Sequence, residues 1–211
     1  MVISQEQWED KAAKLNFPNQ CCINGSSIAA INGETFDSIN PATGKLLAKV
    51  AAGSEVEIDL AVSAARQAFN SGVWAHNAPS ERKATLLRLA DLIEENTEEL
   101  ALLESLDMGK PIRDALTIDV PGAAAILRWH AEAIDKLYDE VAPTGRGNLA
   151  MIRREPLGVV GAVVPWNFPL DMAIWKCAPA LAVGNSVVLK PAEQSSFTAI
   201  RLAQLASEAG L

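Results

Sequence analysis

Two short β-branched runs constrain the fold of this chain more than any other feature: Gly158-Val-Val-Gly-Ala-Val-Val164 and Ser186-Val-Val-Leu-Lys190. Each is apolar almost throughout and too short for a helix, which suits strands buried on both faces of a parallel sheet. Between them Pro169 opens a helical pattern that runs through Trp175 to Val183, and Gly184 ends it. After the second run Ser195 or Ser196 is placed to cap a further helix carrying Ile200, Leu202, Leu205 and Ala206. Strand, helix, strand, helix is the opening of a doubly wound α/β sheet.

The preceding residues read differently. From Cys22 to Val50 the turn dipeptides Asn24-Gly25 and Asn32-Gly33, and the segment Asn40-Pro-Ala-Thr-Gly44, sit among β-forming residues, which predicts a small antiparallel outwork. Ser54 and Glu57 form a capping box for a helix that reaches Asn70, with Gly72 just beyond. Helices are predicted from Pro79, from Asn96-Thr97 up to Gly109 and Pro111, and from Pro121 through Leu127 and Ile134 to Leu137. Between Glu140 and Glu155 the residues Pro143, Gly145 and Gly147 mark the turn of a protruding hairpin.

Composition narrows the function classes. The chain has 211 residues with 26 Asp+Glu against 18 Lys+Arg, a formal net charge of -8. That sign argues against nucleic acid and against an anionic membrane surface as partners. No apolar run approaches the roughly 18 residues of a spanning helix, and the first ten residues carry Glu6, Glu9 and Asp10 instead of a signal peptide's basic start. A cytoplasmic protein is expected. Three cysteines, Cys21, Cys22 and Cys177, support neither a disulfide framework nor a zinc site.

One motif is a decoy. Gly145-Arg-Gly147-Asn-Leu-Ala150 fits G-x-G-x-x-A, but a β-branched run follows it where a dinucleotide fingerprint needs a helix N-terminus. The informative segment is Pro165-Trp166-Asn167-Phe168-Pro169, at the junction of the first strand and its helix. In an open α/β sheet that junction faces the crevice where ligands bind. Prolines on either side of Asn167 stiffen the turn, and its neutral amide can donate to an oxyanion forming on a substrate carbonyl. The plainer reading makes Asn167 the N-cap of the helix. The second segment, Lys190-Pro191-Ala192-Glu193, ends the second strand at the same sheet edge. There a carboxylate can accept hydrogen bonds from ribose hydroxyls while a lysine donates to them; the plainer reading is a solvated ion pair.

Taken together, Val-Val-Pro-Trp-Asn-Phe-Pro, Trp175-Lys176, Pro179-Ala-Leu-Ala182, Gly184-Asn185 and Lys-Pro-Ala-Glu closely resemble the NAD(P)-dependent aldehyde dehydrogenase superfamily. Ile39-Asn-Pro-Ala-Thr-Gly44 and Glu104-Ser-Leu-Asp-Met-Gly-Lys-Pro111 extend the resemblance over essentially the whole chain. Its flavour is nearest to bacterial γ-glutamyl-γ-aminobutyraldehyde dehydrogenases. The resemblance implies that residues 1–139 form the amino-terminal strand and helix part of the cofactor-binding domain. It likewise makes 140–155 an oligomerisation hairpin of a homodimer or homotetramer, and 156–211 the first βαβα units of the cofactor sheet.

The same resemblance gives roles to single residues. Asn167 corresponds to the oxyanion-hole asparagine, and Lys176 to a lysine used in proton relay. Val164, Pro165 and Trp166 correspond to cofactor contacts, and Lys190 and Glu193, in the stretch Lys190-Pro191-Ala192-Glu193, to the adenosine-ribose grip. Asp107 matches a position that binds a monovalent cation in some members. Family enzymes attack the aldehyde with a cysteine thiolate and release the acid with a glutamate-activated water. None of the three cysteines stands in that nucleophile's context, so the catalytic domain is expected to lie beyond Leu211 and the 211-residue chain alone to be inactive. The expected cofactor is NAD, with NADP as the alternative, because Glu193 would repel a 2′-phosphate. Two other readings stand beside this one: a truncated chain acting only in assembly, and a relative that reduces acyl phosphates or forms acyl-CoA.

Overall fold

A computed structural model describes residues 3–211. The chain opens on helix α1 (Gln5–Ala13), where the Ser4 side chain accepts from the Gln7 N–H and Gln7 reaches back to the Ser4 N–H. No helix is predicted over these acidic residues from the sequence; the capping box accounts for this one. Strands β1 (Cys21–Ile23) and β2 (Ser26–Ile28) pair antiparallel across Asn24-Gly25, both left-handed with φ of 51° and 72°. Strands β3 (Thr35–Ile39) and β4 (Leu46–Ala51) form a second antiparallel pair around the Asn40–Gly44 turn. The expected outwork is thus two separate hairpins.

Helix α2 (Glu55–Ser71) carries the predicted capping box of Ser54 and Glu57 and ends on left-handed Gly72. Helix α3 (Pro79–Glu95) starts on its proline, and α4 (Thr97–Met108) stops on Gly109. Gly109 has φ 83°, and a Cβ there would come within 2.8 Å of Pro41 Cγ, so the β3–β4 turn abuts the end of α4 only because that residue is glycine. The fourth predicted helix is corrected by the structure. A helical turn α5 (Ile112–Asp114) leads into a π-helical stretch, Ala115–Asp119, before α6 (Val120–Ala133), and a 3₁₀ turn at Ile134–Lys136 ends it short of Leu137, which is extended.

The protruding hairpin is present as β5 (Glu140–Ala142) against β6 (Ala150–Ile152), antiparallel, with Val141, Leu149 and Met151 exposed. Arg154 pairs with Glu140 at its base. Strands β7 (Val159–Val163) and β8 (Ser186–Lys190) are parallel, connected by α7 (Pro169–Ala182) and followed by α8 (Phe197–Ala209). Both α2 and α7 pack against this pair. The strands are not buried on both faces as expected: β8 is half-buried from Ser186 to Leu189 and exposed at Lys190, and Val163 is exposed. Each has one neighbour among the described residues, so its other edge carries no ladder.

The main core lies among α3, α4, α6, α7 and α8, with Leu86, Ile93, Leu127, Leu170, Ile174 and Leu205 fully enclosed. Burial of such side chains contributes roughly 1.5–3 kcal/mol each. A smaller cluster of Val50, Leu103 and Phe197 joins β4, α4 and α8, where Phe17 leans on Phe197 with ring centroids 5.0 Å apart. Among the described residues no helix is long and apolar enough to cross a membrane.

Candidate active site

The parallel ladder decides where the chemistry-bearing residues meet. Val163 is opposite Lys190 in the register, and the Val164 N–H donates to the Lys190 carbonyl at 3.1 Å, one residue past the end of β7. Both segments singled out in the sequence therefore leave the sheet side by side, at its carboxyl edge. Val164 is buried there, while Pro165, Trp166, Asn167 and Phe168 form an exposed turn leading into α7.

Asn167 is not the helix cap. Phe168 occupies that position, with φ -141° and ψ 69°, and no side chain caps the helix. The Asn167 amide is exposed beside the first turn of α7, whose free N–H groups make the surroundings favourable to negative charge. Lys176 lies two turns along α7, exposed like its neighbour Trp175.

On the other strand Lys190 and Glu193 form an ion pair, with Pro191 and Ala192 half-buried between them. The Lys190 ammonium holds the Glu193 carboxyl below its ordinary range, so it is an anion and an acceptor at neutral pH. Ser195 and Ser196, the sequence's two cap choices, are both buried; Ser196 takes the N-cap position of α8 without donating or accepting as a side-chain cap.

Asp107 lies away from this edge, 3% exposed at the end of α4. Ser38 Oγ donates to its Oδ1 at 2.8 Å, and the Phe197 N–H donates to its Oδ2 at 3.0 Å. The carboxylate thus ties α4 to β3 and to the start of α8. Burial pushes its pKa up to about 6, against the pull of those hydrogen bonds. No group of three His, Cys, Asp or Glu placed to hold a metal ion occurs among the described residues.

Cys177 is buried in α7, and burial raises its thiol to about 12; Cys21 and Cys22 are also raised, by burial first. None has the lowered pKa of an activated nucleophile. An open groove lined by Ile23, Ile28, Leu60 and Arg66 shares no residue with the carboxyl edge.

Sequence reasoning assigned no role to the charges under the turn. The Lys110 ammonium sits 4.1 Å from the centroid of the Phe168 ring, 3.2 Å from Glu104 Oε1 and 2.7 Å from Asp119 Oδ2. Asp171, from the first turn of α7, completes the group. Burial pushes Glu104 up to about 7 and Asp171 to about 6, in both cases against the attraction of Lys110. The signal was present in the pattern, since Glu104 falls on the helical stripe of Leu100, Leu103 and Asp107 where an apolar residue would be ordinary.

The chain is similar to known proteins over nearly its whole length. The NADP/NAD-dependent aldehyde dehydrogenase PuuC of Escherichia coli (strain K12) is 58% identical over 204 residues, which are 97% of this chain and 41% of that protein. The crystal structure of γ-glutamyl-γ-aminobutyraldehyde dehydrogenase from Burkholderia cenocepacia superposes with a TM-score of 0.96 at 56% identity, over 98% of this chain and 42% of that one. The indole-3-acetaldehyde dehydrogenase AldA of P. syringae, in a complex with NAD+, gives 0.98 at 57% identity, over 100% of this chain and 42% of that one. The chain therefore spans about two fifths of the length of these relatives. The sequence profile of the aldehyde dehydrogenase family matches residues 28–211, most of the chain, and with the shared fold this shows that the chain belongs to the aldehyde dehydrogenase family.

Proposed function

We propose that this chain supplies the cofactor-side half of an enzyme that oxidises an aldehyde, an amino-aldehyde in particular, to its carboxylic acid with NAD+. The observation that carries this reading is the shared carboxyl edge: the turn bearing Asn167 and the segment bearing Lys190 and Glu193 are joined by the Val164 to Lys190 hydrogen bond. NAD+ supplies a hydride acceptor. The residues fit it, because Glu193 is an exposed anion able to accept from two ribose hydroxyls and Lys190 is beside it as a donor. The same negative charge disfavours a 2′-phosphate, hence NAD over NADP. Val164, Pro165 and Trp166, which lead into the Asn167 turn at the same edge, would contact the cofactor.

Asn167 then donates its amide N–H to the aldehyde oxygen as negative charge develops there. A neutral donor fixed in a stiff turn is worth most at that moment, since no reorganisation is needed. Lys176, exposed on the adjoining helix, would carry a proton between solvent and the site. The nucleophile and the water-activating carboxylate belong to sequence outside these 211 residues, as does the wall that selects the aldehyde. The exposed apolar residues of the β5–β6 hairpin, Val141, Leu149 and Met151, support its role as the arm joining copies of the enzyme into a dimer or tetramer. Asp107, with both oxygens engaged by Ser38 and Phe197, is read as a structural link instead of a cation ligand.

The test is NADH formation. The full-length protein should oxidise an amino-aldehyde with NAD+, and the isolated 211-residue chain should show no turnover. Turnover by the short chain, or none by the full-length protein with any aldehyde, would overturn the reading.

A further inference from the structure

We propose that Lys110 is a positioning residue for the Asn167 turn, clamped by Glu104 and Asp119 beneath the Phe168 ring so that its ammonium fixes where Asn167 points. The inference rests on the oxyanion reading of Asn167 given above. Its geometry is independent of that reading. Phe168 is the residue next to Asn167 and the N-cap of α7, so the ring's position sets the path of the backbone that delivers the amide. That ring is half exposed, no side chain caps α7, and the Lys110 ammonium lies over the ring at 4.1 Å from its centroid.

Lys110 in turn has little freedom. It is 11% exposed and paired with Glu104, which is fully buried, and with Asp119. A cation over an aromatic face is attracted by the ring quadrupole, and more strongly when desolvated. The construction that brings these groups together is costly in itself. The π-helical stretch Ala115–Asp119 interrupts the ordinary helical ladder, and such single-turn insertions recur at functional sites. Glu104 Oε2, Asp119 Oδ2 and Asp171 Oδ1 are buried without a hydrogen-bond partner among the described residues, Asp119 Oδ2 meeting Lys110 by charge and not by an aligned hydrogen bond. Fold stability alone would be served better by apolar side chains of the same volume, since a buried ion pair rarely outperforms them. A charge held at the underside of the catalytic turn accounts for the expense.

The test uses the full-length enzyme and compares kcat, the KM for aldehyde and the NAD+ dissociation constant. Replacing Lys110→Met together with Glu104→Gln and Asp119→Asn removes the lysine along with both carboxylates that pair with it, Asp171 having no ion pair to lose. This variant should lose roughly tenfold in kcat while KM and NAD+ binding stay within about twofold. Lys110→Arg, which keeps a cation able to stack on the ring, should stay within about threefold of the parent. Phe168→Leu removes the ring and leaves the ions in place, so it decides the matter if the triple variant does not fold; it too should lose roughly tenfold in kcat. In an Asn167→Ala background neither change should cost more than about twofold further. Unchanged kcat in Phe168→Leu, or losses that multiply with that of Asn167→Ala, overturns the proposal alone. Unchanged turnover in Asn167→Ala itself overturns the oxyanion reading and the proposal with it.

Discussion

The Val164 N–H donates to the Lys190 carbonyl at 3.1 Å, extending the β7–β8 ladder one residue past the last paired strand positions. This bond fixes the spacing between the turn that holds Asn167 and the acidic segment that ends on Glu193. In the proposed function, a cofactor held by Glu193 would thereby share one frame with an oxyanion donor on Asn167.

Glu193→Gln should separate grip from chemistry. On the proposed reading the amide removes the anion that would accept from ribose, and hydrogen bonds to a charged group contribute about 1.5–3 kcal/mol. In the full-length protein, calorimetric titration should show NAD+ binding weakened by about tenfold or more, with the preference over NADP narrowed.

Asp107→Asn should act on stability. The substituted amide can still accept from Ser38 or from Phe197, but its NH2 cannot serve both donors, and one is left unpaired in a buried place. A loss of about 2 kcal/mol in urea denaturation is expected, and about 1 kcal/mol for Ser38→Ala, which removes one donor only.

The α2 capping box gives an acid-side signature. Glu57 accepts from the Ile31 N–H at 2.7 Å and from Ser54, and these bonds hold its carboxyl down to about 2. A depressed folded pKa stabilises the fold above the ordinary carboxyl value and is lost as pH falls. Thermal scans should therefore show stability declining from about pH 4.5 to about pH 2 through this group, and Glu57→Gln should flatten that limb. Ser54→Ala should cost about 1 kcal/mol near neutrality.

Cys177 should be inert. With its thiol raised to about 12 by burial, almost no thiolate exists at pH 8, and a thiol reagent should label it only after denaturation. Labelling in the native state at the rate of a free thiol would contradict its placement.

What was legible in the sequence is what local chemistry decides. Ser54 with Glu57, Gly72, Gly109 and the Asn24-Gly25 turn are signals carried within a few residues, and each marks an element boundary where expected. The two β-branched runs placed Asn167 and Glu193 at one edge because a parallel pair leaves its carboxyl ends together. The π-helical stretch was not legible, since the ion pair of Asp119 with Lys110 that accompanies it is a tertiary contact. Nor was the arrangement around Lys110, whose carboxylates come from α4, the π-helical stretch and α7. The half-burial of β8 also escaped prediction, because an apolar run reports a strand's preference and not the number of its neighbours.

The most direct measurement of the central claim is kcat of Asn167→Ala in the full-length enzyme, alongside its NAD+ dissociation constant. Loss of one oxyanion donor costs about 10²–10³ in kcat, so a fall of that order with cofactor binding unchanged is the expected result. An unchanged kcat, or a fall matched by equal weakening of NAD+ binding, would contradict the assignment of Asn167 as the oxyanion donor.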